Sequence, residues 1–491
     1  MCTASYSSAM DVNLERSVKT KLLQLECHFT WGLKTGDTDL DDLQDRLHVS
    51  TEICLGKEAG TARSYNLLAF TKYLQGFNEE ALKNLEKAEE LIRNHSGDEC
   101  EKLLIVTYGD FAWVYYYMAQ LTKAQSYLEK LGEIKEKFPT VSPDVLHPAT
   151  YAEKAWSFLK FSRKHYIEAK ECFEKAMEEE PDDSEWNSGY AITLYRLEGF
   201  QSTLVSAEDS AALKQLRRAL ELNPDDRIIM VLLGLKLADY KEIEEATELV
   251  EKALEMSPDE PHVIRYVAKF YRQQGTVDKS IELLQRALEK TPNSAFLHHQ
   301  IALSYKRKKS NLIKSCGRAR DAEINELHRL CIFHLEKTIM QKPSFIYAII
   351  DLANLYAQSR DIPKAEELFH KIFPIAKAKN ECVQSLHLSY GDFLFYHKRK
   401  ESLAIKHYTE GSKLDQRTLD WERCLDKLSA IAEKNISRNS QKGEAFGILG
   451  FVHKMKNEKK HAVDCYEKAL LCDSGNEDYL SALCDLRLSL E

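Results

Sequence analysis

Glycine and proline are scarce in this chain of 491 residues, at 19 and 11, which disfavours turn-rich β architecture and leaves helix as the expectation. No stretch approaches the roughly 18 apolar residues of a membrane span. The N-terminal MCTASYSSAMDVNLERSVKTK also lacks the apolar run of a secretory signal. The twelve cysteines contain no CxxC pair and no regular framework, so they read as reduced thiols of a reducing compartment. No His/Cys cluster has metal spacing, and neither a metal nor a cofactor is expected. A cytoplasmic protein is expected, with no membrane partner and with silent sequons at Asn94 and Asn435.

Catalytic signatures are missing too. GKEAGT at 56–61 lacks the spacing of a phosphate loop, and there is no GxSxG, HExxH or kinase-like set. Carboxylate pairs are abundant, but i,i+4 pairing on helix surfaces explains them. No enzyme is expected. The formal net charge of −9 speaks against nucleic-acid binding over the whole surface, while leaving room for a locally basic groove.

What is present is a period. Prolines follow amphipathic helices at Pro181, Pro224, Pro258, Pro292 and Pro343, and the middle two steps are 34 residues, the tetratricopeptide spacing. With proline at position 32, small residues fall at positions 8, 20 and 27. They are Ala268, Ser280 and Ala287 in one repeat, Gly234, Ala246 and Ala253 in the one before, and Ala353 and Ala365 after Pro343. The step to Pro343 carries a 17-residue insertion, and 306–320 (KRKKSNLIKSCGRAR) is expected to extend or link helices. Region 416–444 reads as irregular. The fold class is therefore all-α, a tetratricopeptide-repeat solenoid (superhelix) with a basic inner tunnel.

In this repeat, positions 2, 5, 9, 12 and 13 of the first helix face the concave wall. They are His262, Arg265, Lys269 and Arg272, with Tyr266 beside them, then Phe296, His299 and Lys306, with Gln300 adjacent. Other repeats place Ile192 and Arg196, Trp156 and Lys160, and Tyr347 at such positions. Guanidinium groups pair bidentately with phosphate oxygens, and rings stack on splayed bases. This combination points to single-stranded RNA or a nucleotide-bearing end, because a duplex would not fit inside a narrow superhelix.

The stretches LLQLECHFTW (22–31), YNLLAF (65–70), AWVYYYM (112–118), GYAITLYRL (189–197), RYVAKFYR (265–272), FLHHQIALSYK (296–306) and GFVHK (450–454) are more specific than the repeat itself. Through them the chain resembles the interferon-induced proteins with tetratricopeptide repeats over essentially its whole length. That resemblance implies an antiviral sensor that captures the 5′ end of foreign RNA, either a triphosphate or a cap lacking ribose 2′-O-methylation, and blocks its translation. It implies phosphate contacts from Arg46, Lys160 and Arg196 beside Tyr166, and a cap or base pocket at Trp156 and Ile192. Arg265, Tyr266, Arg272, His299 and Gln300 would hold the first nucleotides. Phe345 and Tyr347 would follow, with Arg423 and Lys434 at the C-terminal side. His262 stands where a tyrosine is usual, Ser50 where a glutamine is common and Ala430 in place of a lysine. Residues 46–61 share little else with the family.

The expected division is 1–200 with the 5′-end pocket, 201–415 forming the groove, and 416–491 with linker helices and C-terminal repeats. Expected partners are single-stranded RNA with a non-self 5′ end and proteins that include related family members. The rival is a protein–protein scaffold, the common use of this repeat. The clamp for chaperone tails would need Lys and Asn where Arg265 and Lys269 stand.

Overall fold

The computed structural model describes residues 13–52, 58–94, 100–140, 142, 145–200, 204–316, 320–379, 382–414 and 418–489, and among these there is no strand. Two compact units result. One holds the described residues up to Gly199 with Val205–Phe270, and the other holds Phe200–Leu204 with the described residues from Tyr271 onward.

Each unit is a run of helix pairs, most of them joined by short turns that make their members antiparallel, while a longer segment (199–210) joins Ser184–Glu198 to Ala211–Leu222. In the first unit the pairs are Glu58–Leu74 with Asn78–Asn94, Leu104–Tyr117 with Leu121–Lys137, and Pro148–Phe161 with Tyr166–Glu179. Ser184–Glu198 with Ala211–Leu222 and Arg227–Asp239 with Ile243–Met256 complete it. The second unit contains Ala295–Cys316 with Asp321–Gln341, Ile346–Gln358 with Ile362–Lys379, and Lys442–Met455 with Lys459–Cys472. Capping follows sequence, as in Asp183, Asp226 and Thr418, whose side chains accept backbone N–H groups of the helices they precede.

The small positions do what the period requires. Ala246, Ala253, Ala268, Ser280, Ala353 and Ala365 have no exposed surface. At Gly234 a Cβ would stand 2.7 Å from Val250 Cγ2 and 2.9 Å from the Ala246 carbonyl oxygen. Backbone cannot step aside as a side-chain tip can. Gly234→Val is therefore expected to destabilise the first unit by about 1–3 kcal/mol, by overpacking. Thermal melting measures it, and an unchanged midpoint would mean the seam is looser than drawn.

The 17-residue insertion lengthens both members of one pair, to 22 residues (Ala295–Cys316) and 21 residues (Asp321–Gln341), so the basic stretch is largely helical. Region 416–444, irregular as a repeat and expected to hold linker helices, contains one continuous helix, Leu419–Ser437. Its buried Trp421, Cys424, Leu425, Leu428, Ile431 and Ala432 keep i,i+3/i+4 spacing, which forms a helix without the repeat's proline or period.

The LLQLECHFTW stretch is tied down by a buried polar network. The His28 backbone N–H donates to Asp110 Oδ1 (3.2 Å) and its ring Nδ1–H donates to Asp110 Oδ2 (2.7 Å). On the other side of the ring, Nε2 lies 2.9 Å from Ser157 Oγ. Ring contacts with Trp31 and Phe70 complete the seat. Every polar atom of the imidazole is satisfied, as burial demands.

Candidate RNA 5′-end site

In the first unit the helices Pro148–Phe161 and Ser184–Glu198, with residues 261–270 of the helix Pro261–Gln274, carry the basic positions. Trp156 and Lys160 lie one turn apart, so the ammonium of Lys160 sits 5.9 Å from the indole centroid. Lys160 Nζ donates to Ser64 Oγ at 2.9 Å. Arg46 reaches the same spot from its own helix, Leu40–Glu52, donating from Nη1 to the Lys160 carbonyl at 3.1 Å and pairing with Asp42. Arg196 donates from Nη1 to the Leu159 carbonyl and to Tyr166 Oη, both at 3.1 Å. Lys269 donates to Tyr195 Oη at 3.1 Å, and the Arg265 guanidinium stacks 4.3 Å from the Tyr266 ring centroid.

The electrostatics follow from this crowding. Burial, together with the neighbouring Arg63 and Arg46 cations, brings Lys160 down to about 7. Burial and the charges of Arg265 and Lys160 hold His262 neutral, at about 4. Burial raises the Tyr266 phenol, but Arg265, Arg196 and Lys269 outweigh it and bring it to about 8. Burial is the larger cause for Lys160 and His262, with the surrounding positive charge adding to it, and only at Tyr266 does that charge prevail over burial. Lys160, Arg196 and Lys269 form no ion pair with a carboxylate among the described residues. They are satisfied by hydroxyl, carbonyl and phenol oxygens, which an anion can displace without leaving a buried carboxylate unpaired.

Trp156 is partly buried, with its indole edge-on to Phe173, and its Nε1–H has no acceptor. Ile192 packs at the margin of the same core. The Gly189 position is what admits the indole, because a Cβ there would fall 2.8 Å from Trp156 Cζ2 and closer still to Phe173.

Arg63 was not anticipated from sequence. It is buried, pairs with Glu185 and lies close enough to bear on the Lys160 charge. Behind it, Asn66 Nδ2 donates to the buried Glu153 carboxylate at 2.8 Å. Burial raises the Glu153 carboxyl, with His28, Asn66 and Arg63 opposing that shift. The only signal for Arg63 was its position in a helix just before YNLLAF. The side chain of Ser50 and residues 53–57 lie outside the described residues.

In the second unit, Arg272 Nη1 donates to Gln300 Oε1 at 3.1 Å and to its carbonyl and Ser304 Oγ at 3.4 Å. With neutral partners only, burial lowers it to about 10. His299 is buried and packs 4.6 Å from the Phe345 ring, with both ring nitrogens lacking partners. Burial, with Arg272 and Lys306 adding to it, holds that imidazole neutral at about 4. Phe296 and Tyr347 are exposed. Tyr347 and Arg423 line one cleft with Lys306, Asp351, Asp392 and Lys427, where Lys306 pairs with Asp351 at 2.6 Å and Arg423 with Asp420 at 3.3 Å. Lys434 is not in that lining and sits over the Phe395 ring.

A tetratricopeptide-repeat family model matches residues 60–137, and the model of the N-terminal TPR repeats region of Psidin matches residues 196–312. The chain is 40% identical over 458 residues to human Protein IFIT1 homolog B, covering 92% of this chain and 96% of that protein. It is 38% identical over 461 residues to the human antiviral innate immune response effector IFIT1 (93% and 96%). With human Interferon-induced protein with tetratricopeptide repeats 2 it shares 37% over 473 residues (94% and 97%). Among solved structures, the human IFIT1 dimer with m7Gppp-AAAA superposes with a TM-score of 0.82 and the dimer with PPP-AAAA with 0.80. Both are 37% identical and cover 94% of this chain and all of theirs.

Proposed function

Since this chain belongs to the family of interferon-induced proteins with tetratricopeptide repeats, we propose that it captures the 5′ end of non-self single-stranded RNA, bearing a triphosphate or a 2′-O-unmethylated cap. It thereby blocks translation of that RNA in the cytoplasm, without cleaving it. The observation that carries this reading is the group of partly buried cations at Lys160 and Arg196, held by neutral oxygens rather than carboxylates. Five-prime phosphates are the ligand that completes them, with Arg46 and Tyr166 alongside. Trp156, with Ile192, offers a ring to a cap guanine, while Arg265, Tyr266, Lys269 and His262 take the first nucleotides. Arg272, His299 and Gln300 continue the path, and Phe296, Phe345, Tyr347, Arg423 and Lys434 serve nucleotides further along. In this assignment residues 1–200 carry the 5′-end pocket, 201–415 the groove and 416–491 the C-terminal repeats. Two structures of one relative, human IFIT1, hold PPP-AAAA and m7Gppp-AAAA and support the same ligand class.

The test is direct binding of one short RNA with four alternative 5′ ends, namely hydroxyl, triphosphate, unmethylated cap and 2′-O-methylated cap, at fixed salt. Preference for triphosphate or the unmethylated cap over hydroxyl is expected. Equal weak binding to all four would favour a scaffold that grips peptides.

The Lys160 ammonium adds a pH signature. Its charge is present below about 7 and fades above it in the empty site. Affinity for the 2′-O-unmethylated cap, whose bridging phosphates do not titrate in this range, is expected to fall about tenfold from pH 6.5 to 8.5. Lys160→Met should flatten that slope, with Tyr266→Phe as the control for the phenol that titrates near 8. An unchanged slope in Lys160→Met would take the lysine out of phosphate contact.

A further inference from the structure

The turn joining Lys442–Met455 to Lys459–Cys472 gathers donor groups that the RNA reading does not use. His453 stands in the last turn of the first helix, Glu458 immediately precedes the second, and His461 is in the second helix's first turn. Asn457 closes the turn with a positive φ of 63°, and the Glu458 backbone N–H donates to the His453 carbonyl at 2.9 Å. The main chain, rather than long side chains, thus fixes the spacing. Glu458 Oε2 lies 2.5 Å from His453 Nδ1, and the two imidazole centroids are 5.4 Å apart. One donor atom from each of the three residues lies within 4.8 Å of the others.

Neighbouring lysines would oppose a cation, so their directions matter. Lys454 turns toward Asp485 (3.8 Å), Lys456 toward Asp426 (3.7 Å), and Lys459 donates to the Ser489 carbonyl (2.8 Å). Each is engaged by an acceptor outside the trio.

We infer that His453, Glu458 and His461 bind a divalent transition metal of the zinc class, with a fourth coordination position open to water. Two imidazole nitrogens and one carboxylate oxygen form a borderline donor set, which suits zinc, nickel or cobalt and not the all-oxygen preference of magnesium or calcium. Donors around a tetrahedral zinc sit about 3.3 Å apart, given bonds of about 2.0–2.1 Å. That distance falls within the spread seen between these atoms, so side-chain rotation suffices and the backbone can stay where it is. An open fourth position on an exposed turn makes this a site that can exchange its water for a donor on another molecule.

The experiment is calorimetric titration of the full-length, chelator-stripped protein with Zn²⁺ alone, paired with Co²⁺ absorption spectra. One equivalent of micromolar affinity is expected, lost in His453→Ala/His461→Ala with helicity unchanged, and weakened about 10- to 100-fold in Glu458→Gln. The Co²⁺ form should show no thiolate charge-transfer band. Absence of uptake by the unmodified chain, the same equivalent in the double variant, unaltered affinity in Glu458→Gln, or a thiolate band would each overturn the assignment.

Discussion

Arg196→Glu should reduce capture of a 5′-triphosphate end by about a thousandfold or more, while helicity and melting stay as they are. The magnitude follows from replacing a guanidinium that can make two charge-assisted hydrogen bonds, each contributing about 1.5–3 kcal/mol, by a carboxylate that repels the same phosphates. The fold should tolerate the change, since Arg196 is only partly buried and holds no carboxylate that would be left unpaired. The comparison to make is between triphosphate and hydroxyl ends, by direct binding at one salt concentration. Equal loss for both ends would assign Arg196 to general electrostatics, and retained binding would remove it from the site altogether.

The second unit should lose stability steeply as the pH falls from 6.5 toward 4. His298 and His334 meet Nδ1 to Nδ1 at 2.9 Å, and His387 and His407 do the same at 3.1 Å. In such a pair one neutral ring donates and the other accepts, so protonating the acceptor breaks the bond. Burial, with the partner ring adding to it, holds His334 and His407 at about 4, and burial lowers His298 and His387 as well. The sign is that of a depressed basic group: the unfolded chain takes up protons first, so stability is complete above about 6.5 and drains away below it. For the buried His334 alone the loss is on the order of 3 kcal/mol, and each pair counts once because its members titrate together. Melting curves at stepped pH measure this, with His334→Asn and His407→Asn expected to flatten the slope. A flat profile in the unmodified chain would mean the rings are solvated.

The fold was legible because repeat packing is written in single residues. Gly234, Ala246 and Ala268 could be read as seam positions from spacing alone, and each proved fully enclosed or without room for a Cβ. The same register picked Lys160, Trp156 and Arg196, which lie together where Lys160 sits by the indole and Arg196 donates to the Leu159 carbonyl. Arg63 escaped because nothing in the repeat pattern marks it. Its role comes from Lys160, 97 positions away in sequence and adjacent only after folding. The helix Leu419–Ser437 falls among the expected linker helices, but its bounds were not legible, because its apolar spacing is regular while no proline or 34-residue step announces it. His453, Glu458 and His461 are separated by spacings that match no metal signature on one helix, and only the intervening turn folds them together.

The tie between His28 and its partners bears on how the protein is made. Asp110 lies 82 residues and Ser157 129 residues downstream. At roughly 5–20 residues per second of synthesis, about 6–26 s separate the emergence of His28 from that of Ser157. Throughout that interval the apolar LLQLECHFTW stretch has left the ribosome without the walls that later enclose it. That stretch is therefore open to off-pathway association during the interval, and molecular chaperones that shield a nascent polypeptide would act there.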